Sequence, residues 1–350
     1  MSFLRFFIAR ILTVLVVLSA VILMTISLLG TSMDDILKTS IKQDVVLAVT
    51  QDTKLSSNFK NLQDRQHYID NQIKGTIHAE GLDESWYSPR SMGTKFLKTM
   101  TLDLGRARFL TSDSGSQQVS NIILEKLPKT ILLFSTSTII ITFIGLYLGA
   151  FSANRIGSLV DRFTSAAAIF SSSAPVFVVG VFMILVFAYF YQVLPARATP
   201  LTPPTDPYYV IDLLYHMILP LATIILTGFG AWAYITRSLV VNILNEDFIA
   251  VKRSQGISEK KIIYSHALKN AAPPVIITVA LSLSASLSGA LIFETIFNWP
   301  GMGLLYFNAI NLRDTPVILG QTYVLVLIFL ITNFIVDIIY GLIDPRVKLL

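Results

Sequence analysis

Six apolar stretches, each about 20 residues or longer, punctuate this chain, at residues 11–29, 130–151, 165–191, 211–235, 275–297 and 317–342. A helix of that length crosses a hydrocarbon layer of about 30 Å. Inside lipid every backbone amide must bond within the protein, so only helices or closed barrels can span it. The stretches are continuous and do not alternate every second residue, which selects helices over barrel strands. The expected fold class is therefore all-α integral membrane, with six transmembrane helices. Hydrophobic residues make up 53% of the chain and charged residues 14%, a balance far from that of soluble domains.

Where the charges fall sets the orientation. The short segment 152–163 carries Arg155 and Arg162, the segment after residue 235 carries Arg237, Lys252, Arg253, Lys260, Lys261 and Lys269, and the tail carries Arg346 and Lys348. These faces are expected in the cytoplasm, with both termini there and the chain multi-pass in the cell membrane. Residues 1–30 form a tail and a retained first span, because its apolar run exceeds a signal core and no A-x-A-like cleavage site follows. Residues 31–129 turn polar and are read as an extracytoplasmic domain. The core follows at 130–343, with a cytoplasmic loop at 237–274, and the tail is 344–350. Prolines 195, 200, 203, 204 and 207 make residues 195–207 a rigid, non-helical outer cap. The net charge of +5 lies beside the spans, so lipid and not nucleic acid is its expected partner. Cysteine is absent, which removes disulfides and thiolate sites, and His67, His78, His216 and His266 lack metal-ligand spacing.

The informative stretch runs from Glu246 to Pro274. Asn245 is placed to cap a helix whose first turn holds Glu246 and Asp247, where carboxylates suit the positive helix end. That helix is expected to reach about Ser254. Gly256 supplies the positive φ of a reversal, Ser258 caps a second helix, and Pro273-Pro274 ends it. Phe248, Ile249 and Val251 are apolar on the first helix, and Ile263, Ala267 and Ala271 repeat every four residues on the second. Either this protein's own spans and the lipid interface cover these faces or a partner groove does, and the groove is the favoured reading.

Read as EDFIAVKRSQGISEKKIIYSHALKNAAPP, the insert resembles the EAA motif of ABC importer permeases. Asp247 and Phe248 replace the two alanines after Glu246, and Ala250 arrives later, as in the branch that moves peptides. The segment from Phe293 to Gly303, residues 333–337, Asp344-Pro345-Arg346, Asp103-Leu104-Gly105 and Leu127-Pro128 are likewise similar to the dipeptide/oligopeptide permease family. Only residues 34–83 match weakly, being longer than that family's loop.

The resemblance implies a type I ABC importer permease fold, in which the insert is a coupling helix seated in a cytoplasmic ATPase subunit. Glu246, Asp247, Phe248, Ala250, Gly256, Ser258 and His266 would make that contact. It further implies a second homologous permease subunit, two ATP-binding subunits and an extracytoplasmic substrate-binding protein. This chain has no G-x-x-x-x-G-K-[ST] phosphate loop, so it is expected to bind no cofactor and to catalyse no bond change, with ATP and Mg held by the partner ATPases. Ser284, Ser288, Glu294, Trp299, Asn333 and Asp337 are candidates for the pathway or gate. Asn333 and Asp337 share a helix face and are expected to pair inside the bundle, while Trp299 is expected at headgroup depth. The family's cargoes include dipeptides, oligopeptides, oligosaccharides and nickel complexes. An ion-coupled transporter would need intramembrane charges and often an internal repeat; only Glu294 and Asp337 qualify and no repeat is found. An intramembrane enzyme would need a nucleophile with its base, and only His216 lies near a span core.

Overall fold

The computed structural model describes residues 3–51, 61–79, 88–286 and 291–343. Among these the chain is helical, with one isolated bridge between Arg106 and Gln118. The first helix, α1 (Phe3–Gln51), does not stop at the end of its apolar run. At 1.5 Å per residue it extends about 73 Å, more than twice the hydrocarbon thickness. Helices α2 (Leu62–Ala79) and α3 (Pro89–Met100) fold back on it, α2 through Ile69 and Ile73 against Val49.

Helix α4 (Val119–Ala153) begins eleven residues before the expected span and carries Pro128 within it. The expected boundary at residues 129/130 thus falls inside a helix. The run 165–191, expected as one span, is broken. Helix α5 (Leu159–Ser173) meets α6 (Val176–Met183), which continues as a π-helix over Ile184–Phe190, at a bend of 100°. Pro175 causes the break: it has no amide donor and drives Ala174 to extended backbone at φ −88°, ψ 114°.

Helix α7 (Tyr209–Leu244) leads into α8 (Asp247–Ser254). A short α9 (Glu259–Lys261), a π-helical turn Ile262–Ala267 and α10 (Leu268–Ser286) then run on continuously. Pro273 and Pro274 do not end this helix as expected. The carbonyls deprived of partners by the two prolines belong to Lys269 and Asn270, both on exposed residues, so the loss is mild. Helices α11 (Leu291–Phe297), α12 (Met302–Leu312) and α13 (Thr315–Ile343) complete the described chain.

Four described helices are long and apolar enough to cross a membrane, and the bent α5–α6 pair makes a fifth if it is one span. The expected run 275–297 falls on α10, α11 and four residues outside the description. Val16, Met24, Leu28, Phe143, Phe182 and Phe190 all stand more than 60% exposed on these helices, a surface suited to lipid and not to water. Helices α4, α5 and α7 form one block. A Cβ on Gly149 of α4 would collide with Ala233 and Thr236 of α7, and one on Gly230 of α7 with the backbone of Ala167 on α5, so small residues permit the close crossings. Helix α1 packs instead on α13, through Leu18, Ile22 and Ile26 against Tyr323.

Candidate docking site

Helix α7 overruns its expected end by nine residues, and this rewrites the start of the insert. Asn245 is the C-cap of α7, donating its N–H to Asn242, and not the N-cap of the next helix. Glu246 holds the N-cap position, with extended backbone at φ −73°, ψ 147° and no side-chain capping bond. Asp247 opens the first turn, where its carboxylate favours the helix dipole.

On α8, Ile249 is buried while Phe248 and Val251 remain 38% and 56% exposed, and Ala250 is exposed beside them. The helix ends as expected. Gly256 takes φ +75°, its N–H bonds Arg253 C=O at 3.0 Å, and Ile257 N–H bonds Lys252 C=O at 3.3 Å. This is the paired 6→1 and 5→2 pattern of a Schellman cap, which requires a left-handed residue at the glycine. Arg253 spans the turn to Glu259, with Nε–Oε1 at 2.7 Å. Next to the turn a cavity of about 270 Å³ is lined by Asn154, Val241, Leu244, Asn245, Arg253 and Glu259, among others.

The second limb departs from expectation. Ser258 sits at its N-cap without a side-chain bond. Ile263, Ala267 and Ala271 are fully buried against Ala150 and Ala153 of α4 and Val240 of α7. Their face is covered by the protein's own helices and not left for a partner, because small side chains at four-residue spacing let the limb lie close on that block. His266, in the π-helical turn, has a buried Nε2 without a hydrogen-bond partner among the described residues. Burial, then Lys252, Lys261 and Lys269, holds its pKa below the usual histidine value.

The pathway candidates disperse. Glu294 is fully buried: Oε1 accepts from Thr130 Oγ1 at 2.9 Å, and Oε2 from the N–H groups of Gly303 and Leu304 at 2.7 and 3.2 Å. Its carboxylate thus caps α12 and ties it to α4. Trp299 is also fully buried, with Nε1 donating to Lys129 C=O at 3.2 Å, so it is a core residue and not a headgroup anchor. Asp337 pairs with Arg10 of α1, whose Nε lies 2.7 Å away, while Asn333 donates to the Phe329 carbonyl of its own helix. The side chains of Ser284 and Ser288 lie outside the described residues.

Sequence reasoning missed several partners: Thr130 for Glu294, Arg10 for Asp337, Glu259 for Arg253, and Asp161 for Arg237. The six-residue spacing of Arg253 and Glu259 about a glycine was a usable signal. The others join residues 76 to 327 positions apart, and nothing local marks them.

The family described as "Binding-protein-dependent transport system inner membrane component" matches residues 145–349. The dipeptide transport system permease protein of Bacillus subtilis is 35% identical over 255 residues, 73% of this chain and 78% of that one. A putative peptide permease protein of Brucella suis is 35% identical over 234 residues, covering 67% and 72% of the two chains. The dipeptide transport system permease protein of Escherichia coli is 29% identical over 226 residues, covering 59% and 67%.

Proposed function

This chain belongs to the binding-protein-dependent transport system inner membrane components, and from that premise we propose that it is the permease subunit of a peptide-importing ABC transporter. Peptide is the cargo of choice because the relatives named above are peptide or dipeptide permeases. The observation that carries the mechanism is the exposed face of α8, where Phe248 and Val251 stand on a helix fixed at both ends, by α7 and by the Gly256 turn. Such a short, held apolar knob suits a groove on a cytoplasmic ATPase, which supplies ATP, Mg and hydrolysis. The permease moves its cargo without making or breaking a covalent bond.

In this reading six helices span the membrane with both termini in the cytoplasm, and residues 31–129 lie outside, where the long α1 and its partners α2 and α3 meet the binding protein. A second permease completes the pathway and two ATPases bind beneath. ATP-driven closure of the ATPases favours one arrangement of the two inserts over the other, which rocks the helices between inward and outward access.

The test is to purify the chain with its co-purifying subunits, reconstitute it with the binding protein, and measure ATP hydrolysis against peptides, oligosaccharides and nickel complexes. Stimulation by peptides supports the whole reading, and stimulation by another class alone corrects the cargo. Absence of any co-purifying ATPase would remove the docking role of α8.

A further inference from the structure

We propose that Asp161 and Arg237 are positioning residues that make the docking insert and the bent α5–α6 pair move as one body; the proposal rests on the coupling role of α8 given above. Asp161 opens α5 and is only 6% exposed. Its carboxylate gathers four donors from three places. Arg237 of α7 reaches both oxygens with Nε and Nη2, the latter at 3.0 Å, Ser152 Oγ at the end of α4 donates at 2.8 Å, and Gly157 N–H in the intervening turn donates at 2.8 Å. A two-pronged guanidinium–carboxylate pair fixes orientation as well as distance.

Its place in the chain gives the pair its consequence. Arg237 lies two turns before the end of α7, and α7 runs directly into α8. The other limb of the insert rests on Ala150 and Ala153, next to Ser152. Both limbs therefore hang from one corner, made of the ends of α4 and α7 and the start of α5. A pull on α8 displaces Arg237, and Arg237 carries Asp161 and α5 with it. Through the 100° bend, that motion passes into α6. The α5–α7 crossing is otherwise apolar, close at Gly230 and Ala167 and stacked at Phe163 and Phe229 with ring centroids 6.4 Å apart, so the pair is what adds a directional polar link between α7 and the start of α5.

The absence of cysteine allows a clean measurement. Spin labels on Arg162→Cys and Lys260→Cys, both exposed positions, report the distance between α5 and the insert, in the chain alone and in the reconstituted transporter with and without ATP. The native pair should give one narrow distance that ATP does not alter. Arg237→Gln should keep the subunits assembled, broaden that distance, and lower peptide carried per ATP roughly tenfold. Arg237→Lys, which keeps the charge without the fork, should fall between them. A distance that stays narrow in Arg237→Gln, or transport per ATP that equals the native value, overturns the proposal. Should Arg237→Gln fail to fold, Arg237→Lys with native distance and native transport per ATP overturns it equally. If the native chain recruits no ATPase, the importer reading fails, while the label distances in the chain alone still decide whether the pair holds α5 to the insert.

Discussion

Thr130 Oγ1 and Glu294 Oε1 lie 2.9 Å apart in a fully buried contact between α4 and α11, and the same hydroxyl accepts the N–H of Met302 at 2.7 Å. One small side chain thus joins three helices. Thr130→Val keeps the shape and deletes both bonds, and Glu294→Gln turns an acceptor oxygen into a donor facing other donors. Each should cost about 1–3 kcal/mol of stability, seen as a lower thermal midpoint of the purified transporter, with the peptide concentration for half-maximal uptake unchanged. A shifted half-saturation at native stability would instead make Glu294 a cargo contact.

Gly256 has positive φ and open space around its missing Cβ, so substitution there acts through the backbone alone. Asparagine tolerates left-handed backbone, alanine loses about 1 kcal/mol or more, and proline cannot adopt it. Uptake should fall in the order Gly256→Asn, Gly256→Ala, Gly256→Pro, with membrane insertion retained in all three. Equal uptake in the three would show that the turn is not needed for coupling.

Phe248 and Val251 stand 38% and 56% exposed on α8, so Phe248→Glu should lower the thermal midpoint of the chain far less than a change at the fully buried Ile249 would. If α8 seats in an apolar groove, the same change should weaken ATPase association by about 2 kcal/mol, roughly 30-fold, the scale of a central interface residue. Quantitative co-purification at graded ATPase concentrations reads the shift. A native association constant would place the contact elsewhere on the insert.

His266 has its pKa held below 6.5 in the fold by burial, with the three neighbouring lysines adding to it. The sign follows: above pH 6.5 folded and unfolded states are both neutral, whereas below it the unfolded state takes up the proton more readily, so stability falls with pH. Hydrogen exchange of the π-helical turn should therefore accelerate between pH 7.5 and 5.5 after correction for intrinsic rates. His266→Gln should flatten that change. An equal acceleration in His266→Gln would assign it to another group.

Across the Arg253–Glu259 bridge the exposures are 44% and 53%, and such pairs contribute about 1 kcal/mol or less. Arg253→Gln should leave the fold intact at physiological salt and loosen only the turn. Exchange at Gly256 and Ile257 amides is the readout, and an unfolded insert would mean that the bridge carries more than its exposure allows.

How far the residues themselves foretold this depends on the range of the forces involved. The reversal at Gly256 was readable because a left-handed cap is a local demand of the backbone. The apolar repeat of Ile263, Ala267 and Ala271 was equally readable as a face, but its occupant was not: a partner groove was expected and α4 and α7 took the place. Asn245 misled for a related reason. Its side chain suits an N-cap, yet α7 packed on α4 stays helical through Leu244 and claims Asn245 as its end. Trp299 was placed at the membrane surface by its ring chemistry, and the fold drew it into the core beside Phe293 and Phe297.

The sequence by itself determined the medium and the local grammar: apolar runs long enough to cross lipid and the helix–turn–helix of the insert, because hydropathy and backbone sterics act within a few residues. Only the tertiary structure decided the partners: Thr130 for Glu294, Arg10 for Asp337, Arg237 for Asp161. A charge or carboxylate set among packed helices finds its donors wherever that packing brings them, and that choice is made in space, across separations of up to 327 residues.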